Sequence, residues 1–156
     1  YIHHEVGYNY RLTNIQAAMG CAQMEQIDEY IYAKRRIAAA YTEWLEDLPG
    51  LEPMYQSARA ESVFWLFTVM VDETKYGLNR EALREKLEEA GIQSRPLWQP
   101  MHLSPAYAGL KPADCPVANH LYRDGLSLPC SVGLGESQRH VVDTLKLLSR
   151  PGSPRV

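Results

Sequence analysis

From Ile15 onward, apolar side chains return at mostly three- and four-residue steps: Met19, Met24, Ile27, Ile31, Ile37, Tyr41, Trp44 and Leu48. That spacing marks one face of an α-helix. Thr13 with Gln16 makes a capping box at its start, and only Gly20 interrupts the helix formers before Pro49-Gly50. The pattern predicts a single long helix over residues 13–48. Its stripe is longer than a small domain covers, and Ala17, Ala18, Gly20 and Ala22 suit the first half to close packing against another surface.

The run Ser62 to Val71 is aromatic and β-branched, apolar on both faces, and predicts a central strand. Asn79 then caps a helix with Glu81 in its first turn, Leu83 and Leu87 facing inward, and Gly91 at its stop. Ile92 to Arg95 returns as a strand. Pro96 to Pro116, with Trp98, Pro100, Met101, His102, Pro105 and Tyr107, predicts a long loop of fixed shape. A short helix Val117–Asp124 ending at Gly125, a brief strand Leu126–Leu128 and an amphipathic helix Glu136–Leu148 follow. The tail 150–156, with two prolines and a glycine, is expected to be disordered. Four parts result: a loop at 1–12, a linking helix at 13–48, an α+β small domain at 49–149, and the tail.

Composition narrows the class. The 156 residues are 46% hydrophobic and 22% charged, which excludes a disordered chain or a rod. A net charge of −3 removes the electrostatic motive for binding nucleic acid or an anionic membrane. No apolar run approaches the roughly 20 residues that span a bilayer, and a cytoplasmic location is expected. Cys21, Cys115 and Cys130 are odd in number and widely spaced, which suits reduced thiols. The chain opens at Tyr1 rather than at a methionine, within an aromatic and His-rich stretch, as a segment of a longer polypeptide would.

Two groups could carry chemistry. Asn9 and Arg11 stand just before the capping box, where free helix N–H groups, the helix dipole and a guanidinium fork favour an anion; the residues alone favour a solvated turn, with Asn9 making a local backbone bond. Arg95 at a strand end, followed by Trp98 and His102, could grip a carboxylate or diphosphate against a flat apolar wall. The bland counterpart is a surface ion pair with Trp98 lidding the core. His3 and His4 are most simply solvated, while His120 and His140 lie on predicted helices with no matching partner. Cys130 has no His placed to activate it, and Glu88-Glu89 is a polar helix face. The lysines Lys34, Lys75, Lys86, Lys111 and Lys146 show no pocket-like context.

Taken together, Gly7-Tyr8-Asn9-Tyr10-Arg11-Leu12-Thr13-Asn14-Ile15-Gln16-Ala17-Ala18 resembles the G-Y-N-Y-R-x-T-N-x-Q-A-A signature of the DegT/DnrJ/EryC1/StrS sugar aminotransferases. Asn79-Arg80-Glu81-Ala82-Leu83, Gly91 to Trp98, Pro100 to Pro105 and Gly125 to Pro129 continue the likeness in the family's order. The resemblance implies the small C-terminal domain of a fold type I pyridoxal-phosphate-dependent aminotransferase, an antiparallel sheet with packed helices behind a long linking helix. It implies an enzyme that moves an amino group, usually from glutamate, to a nucleotide-linked keto sugar during polysaccharide or glycan precursor synthesis. The family's cofactor lysine precedes the G-Y-N-Y-R block, so it would lie upstream of Tyr1, and the chain alone is expected to be inactive.

The family is dimeric, with that loop reaching into the neighbouring subunit. Carried over, Asn9 would contact the cofactor phosphate in trans and Arg11 would support it or the substrate, while Arg95, Trp98 and His102 would line the nucleotide-sugar pocket. The wording of residues 94–105 is closest to the branch acting on UDP-linked 4-keto N-acetylated sugars, with GDP-perosamine synthases the nearest alternative; Gln99 stands where the UDP branch often has a basic residue. A reading from another class is a non-catalytic interaction module that dimerises through the exposed stripe of its first helix.

Overall fold

The computed structural model describes Tyr8, residues 10–105 and residues 114–149. His3, His4, Asn9, Lys111 and the tail from residue 150 onward lie outside the described residues. Two helices, α1 (Asn14–Met24) and α2 (Ile27–Leu45), lead into β1 (Leu51–Pro53), β2 (Phe67–Val71), α3 (Glu73–Tyr76) and α4 (Arg80–Glu89). The edge strand β3 (Arg95–Pro96), a 3-10 turn (Met101–Leu103), α5 (Pro116–Asp124), β4 (Gly125–Leu128) and α6 (Ser137–Leu148) complete the order. No described helix is long and apolar enough to cross a membrane.

The expected single helix over 13–48 is two. Thr13 caps α1 through its side chain with Gln16 answering, as the capping box predicts. The ladder then breaks: Gln26 N–H donates to the Gln23 carbonyl, and the Gln26 backbone leaves the helical region at φ −115° and ψ 5°. Gln23, Glu25 and Gln26 hold no core contact, and Asp28 and Glu29 supply the acidic first turn that favours a new helix start. No residue of α1 is buried.

The core lies between the helices and one face of the sheet. Ile37, Ala38, Tyr41 and Leu45 of α2 are buried with Leu83 and Leu87 of α4 and Val141, Val142 and Leu145 of α6. Phe67, Val69 and Val71 alternate toward them from β2, as a period of two requires. Each such side chain contributes about 1.5–3 kcal/mol of burial. Sheet order is β1-β2-β4-β3, all antiparallel, so β2 is a central strand as expected. Thr68 faces Ser127 in the ladder, and their hydroxyls satisfy one another at 2.9 Å in the interior.

Other boundaries also differ from what the pattern predicts. Residues 62–66 are irregular rather than strand, because Phe64 sits at φ 47° and its N–H donates to the Ser62 hydroxyl. Ile92 belongs to the end of α4: its N–H donates to the Leu87 carbonyl and that of Gly91 to the Glu88 carbonyl, with Gly91 left-handed at φ 75°. That is a Schellman close, and it shortens the returning strand to Arg95–Pro96. Pro96 lacks a donor and is tolerated because β3 is an edge. Leu51–Pro53, where the pattern marks no strand, pairs with β2, and Asp72 caps the short α3 that the pattern did not show.

Candidate functional site

The α2 register puts Lys34 on the same side as Ile37, Ala38, Tyr41 and Leu45, three, four, seven and eleven residues away. Its ammonium reaches over the end of the core. Nζ donates to the Trp65 carbonyl at 2.8 Å, to the Cys130 carbonyl at 2.6 Å and to Cys130 Sγ at 3.3 Å. The thiol in turn donates weakly to the Trp65 carbonyl at 3.4 Å. Lys34 thereby borders a cleft of about 580 Å³ between α2, the sheet edge and the start of α6. The expectation that no lysine has a pocket-like context is corrected here. The helical step back from Ile37 was the available signal.

Arg95 lines the same cleft, with His140, Ser127, Ser131 and Ser137. Among the described residues no carboxylate lines it. Trp65 stands at its mouth and stacks on Trp98, with ring centroids 5.7 Å apart and planes within 11°. Both rings stay about two-thirds exposed, at 67% and 68%, so Trp98 does not lid the core. The loop carrying Trp98 is seated by Leu97 over the α5–β4 junction. A Cβ on Gly125 would fall 2.5 Å from Leu97 Cδ1 and from the Leu121 carbonyl, so glycine there is what lets Leu97 approach.

His102 stands apart from the Arg95 cleft lining, on the 3-10 turn, where its Nε2 pairs with Asn119 Oδ1 of α5 at 2.7 Å. Arg11 is exposed in the segment before α1. The structure thus puts Arg95 on one cleft lining with Lys34 and Trp65, which the pattern had placed only as helix and strand residues, reaches Trp98 through its stack on Trp65, and anchors His102 separately on α5.

A second cleft, of about 470 Å³, holds Glu52, Asp72, Lys75, His120, Arg123 and Asp124. Apart from Glu73, which also lines it, its charges are mutually paired. Lys75 bridges Asp72 and Glu52, and His120 Nδ1 lies 2.9 Å from Asp124 Oδ2, which gives His120 a partner that its helix position had not suggested. The Arg123 guanidinium, hydrogen-bonded to Asp124, holds that carboxyl below its usual range. Among the described residues no group of His, Cys, Asp and Glu could hold a metal ion.

The structure superposes on S. venezuelae DesV, solved in complex with a ketimine intermediate, with a TM-score of 0.85 and 31% identity over 98% of this chain and 41% of that one. The α+β layer with its antiparallel sheet is the small domain of a fold type I pyridoxal-phosphate-dependent aminotransferase. Residues 1–146 match the DegT/DnrJ/EryC1/StrS aminotransferase family, and the chain belongs to it. It is 40% identical to a GDP-perosamine synthase of Caulobacter vibrioides, over 85% of the chain and 36% of the relative. It is 31% identical to the spore coat polysaccharide biosynthesis protein SpsC of Bacillus subtilis, over 79% of the chain and 33% of the relative. The chain therefore spans about a third of the length of these two relatives.

Lys34, the lysine on this cleft's lining, does not fit as an attachment point for pyridoxal phosphate. An attachment lysine must offer a free amine, whereas the Lys34 ammonium is engaged by two carbonyls and a thiol.

Proposed function

We propose that the chain supplies the substrate-facing wall of an aminotransferase that transfers an amino group, from glutamate, to a nucleotide-linked 4-keto sugar in surface-polysaccharide or glycan precursor synthesis. In this reading residues 1–12 form the cofactor and substrate loop, 13–48 the link and 49–149 the small domain. Asn9 would contact the cofactor phosphate across a homodimer, with Arg11 beside it, and pyridoxal phosphate would be held mainly by residues beyond this chain. Arg95 neutralises the diphosphate, Trp98 offers a ring face, and His102 borders the sugar side from its anchor on α5.

The observation that carries this is the cleft with Lys34 and Arg95 on its lining, free of acidic side chains among the described residues, beside an exposed tryptophan stack. A guanidinium without a competing acid nearby is available to a phosphate, and indole faces accept a nucleobase without regard to its identity. The identity to a GDP-perosamine synthase favours GDP over UDP as the nucleotide. Titrating GDP and UDP against the chain and its Arg95→Ala variant tests the reading, with tryptophan fluorescence as signal. Saturable quenching that weakens about tenfold or more on losing the charged donor is expected; equal affinity for both proteins would remove Arg95 from the site.

A second reading, a non-catalytic dimerising module, draws on α1 alone, which exposes Ile15, Met19 and Met24 and buries nothing. Sedimentation separates the two: a compact, stable, ligand-free dimer of the chain favours the module, and a monomer favours the aminotransferase part.

A further inference from the structure

Residues 62–66 precede β2 without belonging to the ladder, and Phe64 is held left-handed at φ 47°. The Trp65 backbone therefore takes its position from other contacts. On one flank Arg35 Nε donates to the Ser62 carbonyl at 3.2 Å and its guanidinium pairs with Glu61 at 2.6 Å. At Trp65 itself the holding groups are Lys34 Nζ at 2.8 Å and, more weakly, Cys130 Sγ at 3.4 Å. The three acceptors around Nζ match the three protons of an ammonium, and two of them belong to Cys130, just beyond β4. One side chain from α2 thus fixes the strand-end backbone that carries an exposed indole. That indole fixes Trp98 by stacking.

We propose that Lys34 is a positioning residue for nucleotide binding: by holding the Trp65 carbonyl it sets the Trp65–Trp98 ring pair on which the base of the nucleotide stacks. The inference rests on the nucleotide-sugar reading of the cleft. Lys34 donates to carbonyls, not to the ligand, so its effect passes through the indoles. Its chemistry suits the task, since a compact charge with three donors can satisfy converging acceptors that a planar fork reaches less well.

The test uses Lys34→Met, Lys34→Arg, Trp65→Leu and the double variant Lys34→Met/Trp65→Leu of the full chain. Circular dichroism reads the coupling of the two indoles, and GDP and UDP titrations read binding. Lys34→Met should abolish the indole couplet and weaken nucleoside diphosphate binding about tenfold, while Lys34→Arg restores part of both. Trp65→Leu leaves the carbonyl and its clip in place; it should weaken binding as much, and the double variant should lose no more than either single change. An unchanged couplet in Lys34→Met overturns the proposal, as do a lost couplet with unchanged affinity and an additive double variant. If Lys34→Met fails to fold, Trp65→Leu decides: full affinity without that ring overturns it. Wild-type chain that binds neither nucleotide overturns the nucleotide-sugar reading itself, and the proposal with it; binding that survives every Lys34 and Trp65 change overturns the proposal alone.

Discussion

Tyr41 stacks on Phe67 with ring centroids 4.9 Å apart, while its hydroxyl donates to the Pro129 carbonyl at 2.8 Å. One fully buried residue of α2 thus joins the central strand and the segment leaving β4. The phenol does two separable things. Tyr41→Phe keeps the ring and strands the carbonyl, so a loss of about 1–2 kcal/mol is expected; Tyr41→Ala also opens a ring-sized void and should lose about 3–5 kcal/mol. Urea unfolding followed by circular dichroism measures both. Equal losses would mean that the ring contributes nothing beyond its hydroxyl.

Alkaline pH should attack the same core. Burial pushes the phenols of Tyr41 and Tyr76 well above their ordinary value, with the neighbouring Cys130 thiol adding to the rise at Tyr41. Tyr76 is tied to α6 by its hydroxyl, which donates to the Leu145 carbonyl at 2.8 Å. Above about pH 10 the unfolded chain releases protons that the folded chain retains, so stability falls as pH rises. Below that point their contribution is complete; above it, the slope approaches about 1.4 kcal/mol per pH unit for each tyrosine. A Tyr41→Phe/Tyr76→Phe variant should show a shallower alkaline slope in urea titrations, and an unchanged slope would locate the alkaline loss elsewhere.

Two left-handed glycines should respond unequally to alanine. Gly50 has φ 84°, and a Cβ there would meet the Tyr76 backbone nitrogen at 2.5 Å and Tyr76 Cβ at 2.7 Å. Neither neighbour can swing aside, so Gly50→Ala should cost about 3 kcal/mol or more. Gly77, the left-handed close of α3 at φ 94°, has open space around it, and only the backbone penalty of about 1 kcal/mol applies. Thermal melts of the two variants would show the gap; matching midpoints would contradict the steric account.

What the sequence made legible follows the reach of local signals. Caps and periodicity located α4 and α6, because Asn79, Leu83, Leu87, Val141, Val142 and Leu145 all speak within one helix. The break at Glu25-Gln26 carries no proline or glycine, and only the acids at the head of α2 hinted at it. β1 was missed because three residues ending in proline become a strand only when β2 pairs with them. In the site, Arg95 and Trp98 were visible as chemistry on a rigid loop. Lys34 and Trp65 were not, since the role proposed for them rests on a hydrogen bond across 31 residues and a ring stack across the sheet edge.

The same hydrogen bonds predict how Lys34 behaves toward an aldehyde. A lysine attacks a carbonyl only as a free amine with an accessible lone pair. Lys34 instead spends its ammonium protons on the Trp65 carbonyl, the Cys130 carbonyl and the Cys130 thiol. Incubating the chain with pyridoxal phosphate, reducing with borohydride and mapping the label by mass spectrometry should leave the Lys34 peptide unmodified, while exposed Lys86, held only by a surface pair with Glu89, takes up adventitious label. Preferential labelling of Lys34 would show that its amine is free, and would return the cleft to consideration as the cofactor's own attachment site.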